Sequence, residues 1–209
     1  MLHIATALAH CHTLLSPSSC VVHRDVNPSN IGFRDDDTAV LFDFNNAKLL
    51  PNYDATSEEV RGLMQSDSNT TQSTIANNPF RARFARFSLF ACLSSQIPRE
   101  MTGDVGNLRY QSPEISCHNP AGSATDVYSF AILAWEIASL EVPFGESLST
   151  NEYLLQVVEG GDRPLLSDRL DWPGPFRNLL SDCWDENQLN RPHMVRVTEA
   201  MAITVENMK

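Results

Sequence analysis

The stretch VVHRDVNPSNIGFRDDDTAVLFDFNNAKLL, residues 21–50, decides how this chain is read. Its apolar runs, VV at 21–22, IGFR at 31–34 and AVLFDF at 39–44, have the length and the β-branched and aromatic content of short strands. The acidic triplet Asp35-Asp36-Asp37 between the last two runs predicts a hairpin. HRDVNPSN, after the first run, is a polar loop: Pro28 forbids regular helix, and Asn27 and Ser29 favour turns. Asp25, Asn30 and Asp43, all oxygen-bearing side chains, therefore fall where strands end.

Outward from this segment the pattern turns helical. Met1, Ile4, Ala5, Leu8, Cys11 and Leu15 recur at helical spacing and predict an amphipathic first helix. Ser123 with Asp126 three residues on resembles a capping box. It precedes VYSFAILAWEIASL, apolar nearly all round as a helix buried mid-domain should be, with Pro143 as its expected stop. A further helix is expected over 150–158. Phe176, Leu179, Leu180, Cys183 and Trp184 mark another apolar face, and Pro192 opens a last helix with Met194, Val197, Thr198 and Met201 on one side. The expected fold is α+β: a mainly helical body with one small hairpin near its start.

Residues 51–100 differ in composition. QSDSNTTQSTIANNP is a polar loop or insertion, and FRARFARFSLF places Phe80, Phe84, Phe87 and Phe90 on one stripe with Arg81, Arg83 and Arg86 opposite, a short helix best read as packing on its own domain.

The 209 residues, 42% hydrophobic, suffice for a core of ordinary size. A formal charge of −11 argues against a nucleic-acid binder, which needs clustered Lys and Arg. The five cysteines contain no CxxC pair and are odd in number, pointing to reduced thiols and a cytoplasmic or nuclear compartment. No apolar run reaches the roughly 18 residues of a membrane span. His10-Cys11-His12 puts its groups on different helix faces and reads as core packing rather than a metal site.

Phosphoryl transfer asks a protein for a carboxylate to orient the attacking hydroxyl and for oxygen ligands to the magnesium on the phosphates. Asp25, Asn30 and Asp43 are such a set, with Asn30 five and Asp43 eighteen positions after Asp25. HRDVNPSN followed by DFN resembles the catalytic loop and the magnesium-binding DFG of the eukaryotic protein kinases. GNLRYQSPE (106–114) is similar to their substrate-facing loop, DVYSFAILAWEI (126–137) to their central helix, and CWDENQLNRPHM (183–194) to their late Arg-containing motif. The wording of the last two is closest to the tyrosine-kinase-like branch, and RYQSPE to kinases acting on Ser and Thr.

The resemblance implies a kinase C-terminal lobe over 1–209, with 51–100 inserted in the activation segment, using ATP and Mg2+ on a protein substrate. It implies Asp25 as catalytic base with Arg24 and Asn27 beside it. Arg24 would pair with a phosphorylated activation segment. Asn30 and Asp43 would be the metal and nucleotide ligands, His23 and Phe44 structural members of the two motifs, Asp126 a brace for the catalytic loop, and Glu114 with Arg191 an internal ion pair. Thr102 stands near where an activating phosphate would be placed, with Ser66, Ser68, Thr70, Thr71, Ser73 and Thr74 as further candidates.

The departures are specific. Asn27 and Asn107 stand where the family has a Lys and the Thr that contacts it, and Asn45 replaces the glycine of DFG, where it is expected to accept a positive φ. Before His23 there is no Gly and no Lys, so the glycine-rich loop and nucleotide-gripping Lys of an N-terminal lobe are expected on a longer chain. The rival expectation is a pseudokinase, the same lobe serving as a non-catalytic scaffold.

Overall fold

The computed structural model describes residues 1–13, 19–51, 107–119, 121–166 and 172–207. The expectations for Leu15, for the 51–100 insertion beyond Pro51 with its Phe/Arg stripe, and for the phosphorylation candidates including Thr102 fall outside them.

The fold is α+β. Helix α1 (Leu2–Thr13) buries Ile4, Ala5, Leu8 and His12. Strand β1 (Ser19–Val22) follows, then the hairpin β2 (Ile31–Phe33) and β3 (Ala39–Leu41), and then β4 (Lys48–Pro51). The described helices after these are α2 (Pro113–Ser116), α3 (Ala124–Ser139), α4 (Thr150–Tyr153), α5 (Gly174–Cys183) and α6 (Met194–Asn207).

Two antiparallel pairs hold the site-bearing segment. β2 and β3 register Ile31 with Leu41 and Phe33 with Ala39. The strand expected to run to Phe44 ends at Leu41, because Asp43 takes a left-handed conformation (φ 61) that no ladder tolerates, although Phe42 N–H still reaches Asn30 O at 3.0 Å. β1 pairs instead with β4, Val21 opposite Leu49 and Val22 opposite Lys48. Sequence patterning gave no strand over 48–51, where the run is short and ends in Pro51.

Helix α3 is the centre. Every residue from Thr125 to Trp135 is buried, and Ile132, Leu133 and Ala134 have no exposure at all. Its side chains meet Ile4 and Leu8 of α1, Phe176, Leu179 and Leu180 of α5, and Met194, Val197 and Met201 of α6 in one cluster. Helix α1 also lies against α6, β1 and β3, so the first and last described helices close on one another.

Two expectations about helix ends are corrected. Ser123 makes no capping bond and is itself helical (φ −58, ψ −22), so it and Asp126 form no capping box; the carboxylate of Asp126 is needed elsewhere. Nor does Pro143 stop α3: the helix ends at Ser139, where Leu140 turns left-handed (φ 58) and its N–H closes on Glu136 O at 2.8 Å. Over 150–158 the expected helix forms, opened by a true capping box between Ser149 and Glu152. It widens into a π-helical stretch, Leu154–Glu159, ended by Gly160, where a Cβ would lie 2.6 Å from Gln156 O. α6 starts at Met194, two residues beyond Pro192.

One buried ion pair ties α2 to the chain before α6. Arg191 Nη1 and Nη2 donate to Glu114 Oε1 and Oε2 at 2.6 and 2.9 Å, a two-pronged contact inside the core. Burial by itself pushes the Glu114 carboxyl up, but the Arg191 charge and hydrogen bonds more than offset it and leave it below its ordinary value. A depressed folded-state value means stability is fully present above the unfolded Glu range, about 4.3, and is lost as pH falls through the folded value. Replacing Glu114 with Gln should remove that component of acid sensitivity and, by leaving a buried guanidinium uncompensated, cost about 3–5 kcal/mol in urea denaturation at neutral pH.

Candidate active site

The catalytic-loop segment is anchored from below. Asp126, fully buried in the first turn of α3, accepts from His23 N–H at 2.7 Å and Arg24 N–H at 2.8 Å. Its Oδ2 also accepts from His12 Nε2 at 2.9 Å, so α1, β1's exit and α3 meet at one carboxylate. Arg24 pays for this position with a positive φ of 69, a strained conformation for a residue with a Cβ. His23 is fixed by acceptor and donor in turn: its Nε2–H reaches Phe42 O at 3.0 Å, and its Nδ1 accepts from Asp25 N–H at 3.3 Å. Its ring meets Phe44 edge-on with centroids 4.6 Å apart.

Around Asp25 the loop folds on its own side chains. Asn30 Nδ2 donates to Asp25 O at 2.8 Å, which turns Asn30 Oδ1, the atom a hard cation takes, to the side chain's other edge. The Asn30 backbone carbonyl accepts from Phe42 N–H, so Asn30 ties the main chain at Asp25 to the residue before Asp43. Asp43 Oδ1 accepts from Asn45 N–H at 3.3 Å and opens the 3-10 turn Phe44–Asn46. The positive φ expected at Asn45 falls on Asp43 instead, and Asn45 sits inside that turn.

The two asparagines that depart from the family pattern do not simply pair with one another. Asn27 Nδ2 donates to Asp25 Oδ1 at 2.6 Å and to Asp25 O at 3.1 Å, while its Oδ1 accepts from Ser29 N–H at 2.9 Å and from the Ser29 hydroxyl. Asn107 contributes its backbone N–H to the same Asp25 Oδ1 at 3.2 Å, and its side chain caps the next turn through Arg109 N–H. Sequence reasoning missed Asn46, whose Nδ2 reaches Asp25 Oδ2 at 3.3 Å and whose carbonyl accepts from Arg24 Nη1 at 3.4 Å. It also missed the polar task of His12.

The loop after Asn107 is held from several sides. Tyr110 OH donates to Glu136 Oε2 at 2.6 Å, Ser129 Oγ donates to Tyr110 O at 2.7 Å, and Tyr153 OH donates to Gln111 O at 2.5 Å. Burial first, then the bond to Glu136, raises the Tyr110 hydroxyl well above its ordinary value, so it remains a donor. Arg109 turns its guanidinium onto the carbonyls of Pro143 and Gly145.

The profile of the protein tyrosine and serine/threonine kinase family matches residues 72–201, more than half of the chain, and the chain belongs to that family. It is 28% identical over 131 residues to the serine/threonine/tyrosine-protein kinase HT1 of Arabidopsis thaliana, covering 63% of this chain and 32% of that protein. It is 28% identical over 118 residues to the dual specificity protein kinase shkB of Dictyostelium discoideum, covering 56% and 18%. A probable LIM domain-containing serine/threonine-protein kinase of the same organism aligns over 205 residues at 23% identity, covering 98% of this chain and 16% of that protein. The chain thus spans a third or less of the length of these relatives.

Replacing Asp126 with Ala should orphan two backbone donors and the His12 ring together, lowering stability by about 3–5 kcal/mol in urea denaturation. Asp126→Asn, which keeps the shape and part of the acceptor capacity, should cost less.

Proposed function

We propose that this lobe belongs to an ATP- and Mg2+-dependent protein kinase that transfers the γ-phosphoryl group to a Ser or Thr hydroxyl of a protein substrate. The observation that carries the reading is the cluster in which the Asn30 amide holds the Asp25 carbonyl while the Asn30 carbonyl holds the residue next to Asp43. Asp25 then serves as the base that orients the attacking hydroxyl. Mg2+ on a nucleotide takes one or two side-chain oxygens and completes its shell with phosphates and water, and Asn30 and Asp43 offer those oxygens on either side of one backbone hydrogen bond. When bound, the ion neutralises charge on the transferring phosphate.

The Ser/Thr assignment is supported by the RYQSPE wording and by relatives named as serine/threonine and serine/threonine/tyrosine kinases. On this reading the nucleotide's other half-site belongs to a second lobe, and Phe33, Phe42, Phe44 and Leu49 of the site-bearing segment, between 44% and 74% exposed, are apolar side chains for it to cover. Arg24, whose strained backbone aims it at Asn46, remains the candidate partner for a phosphorylated activation segment, with Thr102 the candidate phosphosite. A reducing compartment, cytoplasm or nucleus, suits the free thiols of Cys11, Cys20, Cys117 and Cys183.

One observation favours the non-catalytic alternative: among the described residues, the donors on the Asp25 carboxylate are Asn27, Asn46 and Asn107, none of them a cation. In the protein that carries this lobe, Asp25→Ala should lower phosphate transfer to a generic Ser/Thr substrate by at least about a hundredfold while the fold persists, and unchanged turnover would refute the assignment. Asp43→Asn should abolish the gain in nucleotide affinity that Mg2+ brings, measured by calorimetry with and without the ion. A parent protein that binds nucleotide but transfers no phosphate fits the scaffold instead.

A further inference from the structure

We propose that Asn46 is a positioning residue that clamps Asp25 and so couples the turn carrying Asp43 to the catalytic loop; the proposal rests on the reading of Asp25 as the base.

The argument starts from what a carboxylate can accept. Each oxygen of Asp25 takes hydrogen bonds only as an acceptor. Among the described residues, Oδ1 holds two donors, Asn27 Nδ2 at 2.6 Å and Asn107 N–H at 3.2 Å, whereas Oδ2 holds one, the Asn46 amide, at 3.3 Å. The heavily donated Oδ1 is the anchored oxygen, and the lightly held Oδ2 retains a lone pair for a substrate hydroxyl. Because the partner is a carboxylate, the side of the Asn46 amide that faces it must be the nitrogen, which settles the amide's orientation on chemical grounds.

Asn46 is tied at its other end as well. Its carbonyl accepts from Arg24 Nη1, and it closes the 3-10 turn that Asp43 opens as the N-cap. One residue therefore touches the side chains of Arg24 and Asp25 while standing three positions from the second carboxylate. If the turn holding Asp43 swings away, Asp25 loses the donor that sets the direction of Oδ2. A base misdirected by about an ångström loses roughly a hundredfold in rate, so a single amide in this place governs turnover without touching the nucleotide.

The test has two arms in the protein carrying this lobe. The first reads the clamp directly by amide hydrogen exchange. Asn107 is exposed and its N–H is held by Asp25 Oδ1, so freeing Asp25 should speed exchange at Asn107. Asn46→Leu should accelerate it roughly fivefold or more, with amides in the middle of α3 unchanged. The second arm reads function: Asn46→Leu and Asn46→Asp should lower kcat about tenfold to a hundredfold with KM for ATP within about twofold, and Asn46→Gln, which keeps the donor, should recover most of the loss. Unchanged exchange at Asn107 overturns the clamp whatever the activity. Changed exchange with kcat unaltered overturns its coupling to the base. Turnover that survives Asp25→Asn overturns the underlying assignment of the base, and the exchange arm still judges the clamp.

Discussion

The structure depends on where one buried carboxylate puts its lone pairs. Asp126 sits in the first turn of a helix with no solvent on any side, where an unpaired charge would be costly. Among the described residues three donors meet it: the consecutive backbone N–H groups of His23 and Arg24 and the ring of His12. Consecutive N–H groups converge on a single acceptor only when the backbone between them bends sharply, and the left-handed Arg24 is that bend. The bend then presents Asp25 beside the turn that carries Asp43. Thus an apolar helix in the core fixes the geometry of a polar site at the surface, which is how a loop can be placed within the tolerance that chemistry demands.

The site is built from amides where a cation is expected. Asn27, Asn46 and Asn107 all donate to Asp25, and each is itself held by a turn of its own segment. Neutral donors can orient a carboxylate, though less strongly than a cation, and they supply no charge. On the proposed reading, the arrangement separates two functions that a lysine would join: the amides position Asp25, and none of them brings a positive charge.

Much of the fold was legible because its signals are local. The apolar run 127–135 predicts a buried helix at any reading, and Phe176 through Trp184 mark their own face. The hairpin followed from its acidic turn, with only its far end misplaced by the left-handed Asp43. What escaped was non-local. Strand β4 is three apolar or basic residues and a proline, and it becomes a strand only because β1, more than twenty residues earlier, offers an edge. Ser123 and Asp126 have the spacing of a cap, but tertiary hydrogen bonds at Asp126 outbid a local one. In the site, the intervals among Asp25, Asn30 and Asp43 pointed to one cluster, while Asn46 had no signal of its own. Its amide arrives at Asp25 through a 3-10 turn whose existence depends on the conformation of Asp43.

The central claim is that Asn30 and Asp43 face a common metal on a nucleotide with Asp25 beside it. Substituting Mn2+ for Mg2+ gives a direct reading, since a paramagnetic ion broadens nuclear resonances steeply with proximity. In the protein carrying this lobe, Mn2+-ATP should broaden the Asn30 side-chain amide and the Asp43 backbone amide beyond detection while amides in the middle of α6 stay sharp. Sharp signals from both residues under saturating Mn2+-ATP would contradict the account.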